Sequence, residues 1–311
     1  MRFRDILLLA TVAFVWGFNF VVIRWGLNAF PPLLLSTLRF VVCLVPICFG
    51  VERPKIPWSQ LIVLGITLGS LVFGLLYLGI SFGLSAGLAS VVMQAQVFFT
   101  VILASVATSE RLGRRTAVSI CVGILGLALL AIGGAATITA VGFFLTLAGA
   151  FAWAVSNILI KRLPPVNTLN LMVWISVVPP IPFLIASLVF EGPSRIYDAI
   201  GSLTLSGAMT VLYMSLISTI FAYGVWGNLL QRYSATLVSP FALLVPVFGL
   251  ACAWSFLGDK PNGMELAGAG MTVLALGINS TNGLSDVRRK GKFRRSGLPR
   301  GIPRYSGQED L

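Results

Sequence analysis

Residues 14–24 read FVWGFNFVVIR, and residues 151–162 read FAWAVSNILIKR. Each is an apolar stretch carrying Trp, then Asn, then a basic end: Trp16, Asn19 and Arg24 in one, Trp153, Asn157 and Lys161 in the other. Further along, SAGLAS (85–90) is matched by SATLVS (234–239), 149 positions on, and at that offset Ser109-Glu110-Arg111 falls on Gly258-Asp259-Lys260. A duplicated, strongly apolar chain is the pattern of a transporter built from two structural repeats.

Composition agrees with a membrane chain. Of 311 residues, 57% are hydrophobic and 10% charged, against about 25% charged in ordinary soluble domains. The charges cluster between apolar stretches of roughly 20 residues, the length that crosses a bilayer as a helix. Ten spans can be placed, near 6–25, 32–50, 60–82, 87–108, 116–133, 140–160, 168–190, 205–230, 235–257 and 264–283. The fold class expected is all-α integral membrane, with ten transmembrane helices as two inverted five-helix repeats. The first span follows Arg2 and Arg4 like a signal peptide, but it is too long, lacks a small-residue cleavage site and recurs at span six, so it is read as retained.

Lys and Arg set the orientation. With a cytoplasmic N-terminus, the outer connections hold Arg24, Arg195 and Lys260. The inner ones hold the larger share, including Arg53, Lys55, Arg114, Arg115, Lys161, Arg162 and Arg232. Both termini are therefore expected in the cytoplasm. Five spans is an odd number, so the halves 1–133 and 138–283 have opposite topology and share a site near the bilayer midplane. Residues 284–311, with VRRKGKFRR at 287–295, cannot form a core and are expected to be a disordered, basic cytoplasmic tail. Most of the net charge of +12 belongs to it. It fixes topology or attracts anionic lipid, and it does not point to nucleic acid.

Candidate chemistry is sparse. There is no histidine, which removes the commonest metal ligand and proton shuttle. Cys43, Cys48, Cys121 and Cys252 lack CxxC spacing and read as small core residues. No metal site and no cofactor are expected. Every acid lies at or beyond a span end, which argues against a mid-membrane carboxylate relay. Arg39 is the exception among charges, about seven residues into span two. Its side chain either snorkels to the interface, bonds backbone carbonyls, or meets a substrate carboxylate.

Uncharged polar residues say more. Asn19, Gln94, Gln96, Ser156, Asn157 and Asn228 interrupt apolar spans. An amide facing lipid is costly, so these should face protein or water. Trp16, Tyr77, Trp153, Tyr223 and Trp226 accompany them, and together they describe an amphipathic cavity wall. Gly65/Gly69 and Gly123/Gly126 permit close helix approach. Pro179, Pro180 and Pro182 should break span seven, and Pro240 and Pro246 span nine.

The segments VWGFNFVVIRWGL (15–27), PPLLLSTLRF (31–40), GLASVVMQAQVFF (87–99), GFFLTLAGAFAWAVSNI (142–158), YGVWGNLLQRY (223–233) and SPFALLVPVFGL (239–250) resemble the EamA family of the drug/metabolite transporter superfamily. The match resembles its O-acetylserine/cysteine and aromatic amino acid exporter branches. The resemblance covers about 1–283. It implies a 5+5 inverted repeat, cytoplasmic termini, a bacterial inner membrane and export of amino acids or related metabolites. It also implies a central cavity lined by Trp16, Asn19, Tyr77, Gln94, Gln96, Trp153, Ser156, Asn157, Tyr223 and Trp226. Pro240, where the first half has Val91, departs from two-fold symmetry. The expected partners are a small-molecule substrate and the bilayer, with the chain acting as a monomer by alternating access. An organic-cation exporter is a rival within the class, though such exporters usually need a deep acid. An intramembrane enzyme would need a catalytic pair at depth, and a receptor or structural role would not need the inverted repeat.

Overall fold

The computed structural model describes residues 1–108, 114–133, 139–233, 238, 241, 242, 244–275, 277 and 278. Among these residues the chain is helical throughout, without strands. The tail at 284–311, Ser109-Glu110-Arg111, Pro240 and all of SATLVS except Val238 lie outside the described residues.

The helices follow the apolar stretches closely. They are α1 (Phe3–Ala29), α2 (Pro32–Phe49) and α3 (Trp58–Ser81), then α4 in two pieces (Ala86–Val92 and Ala95–Thr108). Next come α5 (Arg114–Gly133), α6 (Ala140–Lys161), α7 (Thr168–Glu191) and the short α8 (Pro193–Gly201). The last are α9, running through Leu205–Leu212, Tyr213–Phe221 and Ala222–Arg232, α10 (Leu244–Leu257) and α11 (Gly263–Ala275). Seven are long and apolar enough to cross a membrane, and the apolar parts of α5, α10 and α11 are shorter. Large apolar side chains such as Phe144, Ile181, Phe190 and Trp254 are exposed around the outside. A surface of that kind suits lipid and not water.

Close packing rests on small residues, because lipid offers no hydrophobic drive between helices. A Cβ on Gly17 would sit 2.6 Å from Phe248 Cβ and 2.9 Å from the Val245 carbonyl, so α1 and α10 meet backbone to backbone. Gly79 and Gly142 join α3 to α6 in the same way, and Gly126 and Gly268 join α5 to α11. Gly65 and Gly69 abut Val178 and Pro179, where α7 is interrupted. The expected break in span seven therefore falls between Ile175 and Pro180 and is filled by the glycine face of α3.

Two irregularities were not legible in advance. The connection after α7 folds into α8, begun by Gly192 at φ 86° and by Pro193 in the first turn. Ile196 and Ala199 pack on the core while Tyr197 and Ile200 stay exposed, the habit of a helix lying in the interface. Wide π-helical turns also occupy Gly65–Leu71 in α3, Ser187–Glu191 in α7 and Tyr213–Phe221 in α9. At the 149-residue offset Gly65 falls on Met214 and Leu71 on Ile220, so the turns of α3 and α9 coincide at that offset.

Candidate functional site

The π turn of α9 frees polar groups that an α-helix would keep to itself. Thr219 Oγ1 donates to the Met214 carbonyl at 2.8 Å, five residues back. Its oxygen accepts from Arg39 Nε and Nη2 at 3.2 and 2.8 Å. The neighbouring Ser218 carbonyl accepts from Trp16 Nε1 at 3.0 Å. One widened turn thereby fixes both a tryptophan of α1 and an arginine of α2.

Arg39 is 1% exposed, so it does not snorkel. Nor do its bonds go to backbone carbonyls. Its guanidinium donates to Thr219 and, through Nη1, to the Tyr77 hydroxyl at 2.7 Å. It lies 4.1 Å from the centroid of the Phe73 ring, a contact worth about 2 kcal/mol when desolvated. Tyr77 passes its own proton toward Met214 Sδ at 3.3 Å. Among the described residues no carboxylate pairs with Arg39, and only hydroxyl oxygens accept from it.

Beside this cluster is a cavity of about 240 Å³. Trp16, Asn19, Arg39, Gln94, Gln96, Trp153, Asn157, Tyr223 and Trp226 line it. Trp16 stacks at a tilt against Tyr223 and Trp226, with ring centroids 5.0 and 5.3 Å away. On the opposite wall Asn157 Nδ2 donates to Gln96 Oε1 at 2.9 Å and to Thr100 Oγ1 at 3.1 Å. Gln94 and Met93 sit in the interruption of α4, where a helix breaks at the depth of the cavity. Asn19 is 6% exposed, and its Oδ1 has no hydrogen-bond partner among the described residues.

Three residues named from sequence are not in the lining. Ser156 is buried and donates to the Ala152 carbonyl of its own helix at 2.9 Å. Tyr77 is fully buried behind Arg39. Asn228 is exposed, about one turn from the end of α9, and so does not face the interior. The lining also includes residues sequence reasoning passed over: Phe20, Val72, Phe73, Leu76, Met93, Ser218, Ala242 and Val245. Most are apolar and give no signal in an apolar span. Ser218 and Thr219 did carry one, because with Ser215 they repeat hydroxyls at helical spacing on a single face.

With this architecture in view, the class is a helical membrane transporter: the chain belongs to the EamA-like transporter family, which it matches over residues 4–132 and 140–281. A protein of Salmonella typhimurium named "Probable amino-acid metabolite efflux pump" is 42% identical over 285 residues, spanning 90% of this chain and 95% of that one. A protein of the same name from Escherichia coli K12 is 38% identical over 286 residues, with the same shares. A solved crystal structure superposes with a TM-score of 0.60 at 16% identity, covering 90% of this chain and 97% of that one. This last likeness concerns the fold alone.

Proposed function

We propose that the chain exports amino acids or closely related small metabolites across a bacterial inner membrane, by alternating access around the cavity lined by Trp16, Asn19, Trp153 and Asn157. The observation that carries the reading is the cavity itself. At about 240 Å³ it falls below the range of about 300–1,000 Å³ that drug-sized ligands occupy. Its wall combines aromatic faces with amide groups and one cation, a mixture suited to a small amphipathic molecule. The names carried by the relatives at 42% and 38% identity support the same substrate class.

In this reading α8 is an interfacial connector and the other ten helices cross the membrane as two inverted five-helix repeats, with both termini cytoplasmic. The coincident π turns support it, as does the packing. In the repeat register α1 against α10 answers to α6 against α4, and α3 against α6 answers to α9 against α1; each of these pairs is in extensive contact. An organic-cation exporter is disfavoured by Arg39, whose buried positive charge faces the same cavity.

The test is uptake of labelled Phe, Trp, Thr, Met, Cys and O-acetylserine into proteoliposomes, with and without a pH gradient. Saturable uptake of at least one, lost in Trp153→Ala, is expected. Export of cationic dyes with no amino-acid uptake would overturn the reading.

A further inference from the structure

Resting on the reading above, we infer that Arg39 and Asn19 are the two poles of a zwitterion site: Arg39 receives the substrate's carboxylate, and Asn19 Oδ1 accepts from its ammonium. Two unmet polar demands face a single cavity. A guanidinium has five N–H groups. Tyr77 and Thr219 take three of them, and these acceptors are neutral hydroxyls. A buried charge without a counter-ion is held at a cost that hydroxyls and an aromatic face only partly offset. A carboxylate offers the charged acceptor that the remaining N–H groups of Arg39 lack among the described residues.

Asn19 supplies the complementary pole. Its Oδ1 is buried, has no hydrogen-bond partner among the described residues and lines the same cavity as Arg39. An unsatisfied buried acceptor of this kind is costly, so its preference is for a donor from the ligand. Across the lining, Asn157 and Gln96 already bond each other, and Asn157 also bonds Thr100. Trp16, Tyr223 and Trp226 line the same cavity and offer their rings to whatever side chain the substrate carries. A zwitterion brings one donor group, one anionic group and no net charge, which fits this pairing. A plain cation could use Asn19 but leaves Arg39 unmatched and meets its repulsion.

The arrangement also ties recognition to both halves of the chain. Arg39 belongs to α2, its partner Tyr77 to α3 and its partner Thr219 to the π turn of α9. A carboxylate drawing on Arg39 competes with those hydroxyls and so bears on the contact between α2 and α9.

The test begins with the unmodified full-length chain in proteoliposomes. The best-transported member of the amino-acid panel is compared with its amide, its decarboxylated amine and its N-acetyl derivative, each as a competitor. Competition by all three derivatives is expected to be weaker than by the parent amino acid by at least about tenfold. In Arg39→Gln the amide is expected to compete as well as the parent, while Arg39→Lys retains part of the preference. In Asn19→Ala the N-acetyl derivative is expected to approach the parent. Equal competition by parent and amide in the unmodified chain would overturn the assignment to Arg39 while leaving amino-acid transport standing. Retained discrimination in Arg39→Gln would do the same. Failure of the unmodified chain to carry any amino acid would remove the functional reading itself and this inference with it. Because the derivative comparison needs no variant, poor folding of Arg39→Gln does not blunt it.

Discussion

Arg39, Thr219 and Asp259 show how single side chains meet the polar demands of a bundle with few charges. Thr219 takes two of the three hydrogen bonds Arg39 donates, so Thr219→Val should destabilise the fold by about 2–3 kcal/mol. Thr146→Val is the control, since that hydroxyl bonds only the Gly142 carbonyl of its own helix; it should shift thermal unfolding in micelles much less. Equal shifts for the two variants would deny Thr219 its role as a partner for buried charge. Asp259, in the connection before α11, behaves differently. Burial pushes its carboxyl above the ordinary carboxylate range, against the Arg24 charge and a hydrogen bond from the Ala86 amide. The folded chain therefore binds this proton more tightly than the unfolded chain. Its ionised form costs stability at neutral pH, and the cost is relieved as pH falls through the raised value. Relative to Asp259→Asn, the unmodified chain should gain stability between neutrality and the ordinary carboxylate pKa of about 4. Unfolding curves that stay parallel over that window would contradict this.

Helices here are joined where side chains are smallest. Gly17 of α1 leaves no space for a methyl group against Val245, Phe248 and Gly249 of α10. Gly17→Ala should force the two helices apart, lowering both thermal stability in micelles and transport. Gly270 of α11 has nothing within 4 Å of the position a Cβ would take. Gly270→Ala should be neutral or stabilise by about 0.5–1 kcal/mol. If the two variants unfold alike, close approach is not what holds α1 to α10. Other joints are polar. Glu191, the last residue of α7, accepts from the Leu33 and Leu34 amides at 2.7 and 3.1 Å and so caps the start of α2. Trp174 Nε1 donates to the Val51 carbonyl at 3.0 Å and ties α7 to the connection after α2.

Across the whole molecule, one contact bears on movement. Tyr233, just past α9, donates its hydroxyl to Asp5 Oδ2 at 2.5 Å, near the start of α1. It links opposite ends of the sequence at one end of the bundle. Alternating access requires such a tie between halves to open and close. In a background with Cys43, Cys48, Cys121 and Cys252 replaced, Asp5→Cys with Tyr233→Cys, joined by a short bis-methanethiosulfonate crosslinker that spans the length of the lost tyrosine, should stop transport, and reduction should restore it. Full transport in the crosslinked protein would show that these ends do not separate during the cycle.

The chain's order of helices was legible because a bilayer imposes length and hydropathy on every span. Span edges such as 140–160 and 168–190 fall within a residue or so of Ala140–Lys161 and Thr168–Glu191. The mid-span Trp and Asn residues were legible as interior for the same reason: lipid tolerates neither amides nor stray donors. The burial of Arg39 against hydroxyls, the withdrawal of Tyr77 and Ser156 from the cavity, and the π turns were decided in three dimensions. An arginine seven residues into a span has the same sequence whether it reaches the interface or turns inward. What turns it inward is the phenol of Tyr77 on α3 and the hydroxyl of Thr219, 180 residues away on α9. Composition and periodicity thus determined that this is a helical membrane chain. Only tertiary packing, which brings distant helices within hydrogen-bond reach, decided which polar groups satisfy one another and which are left facing the cavity.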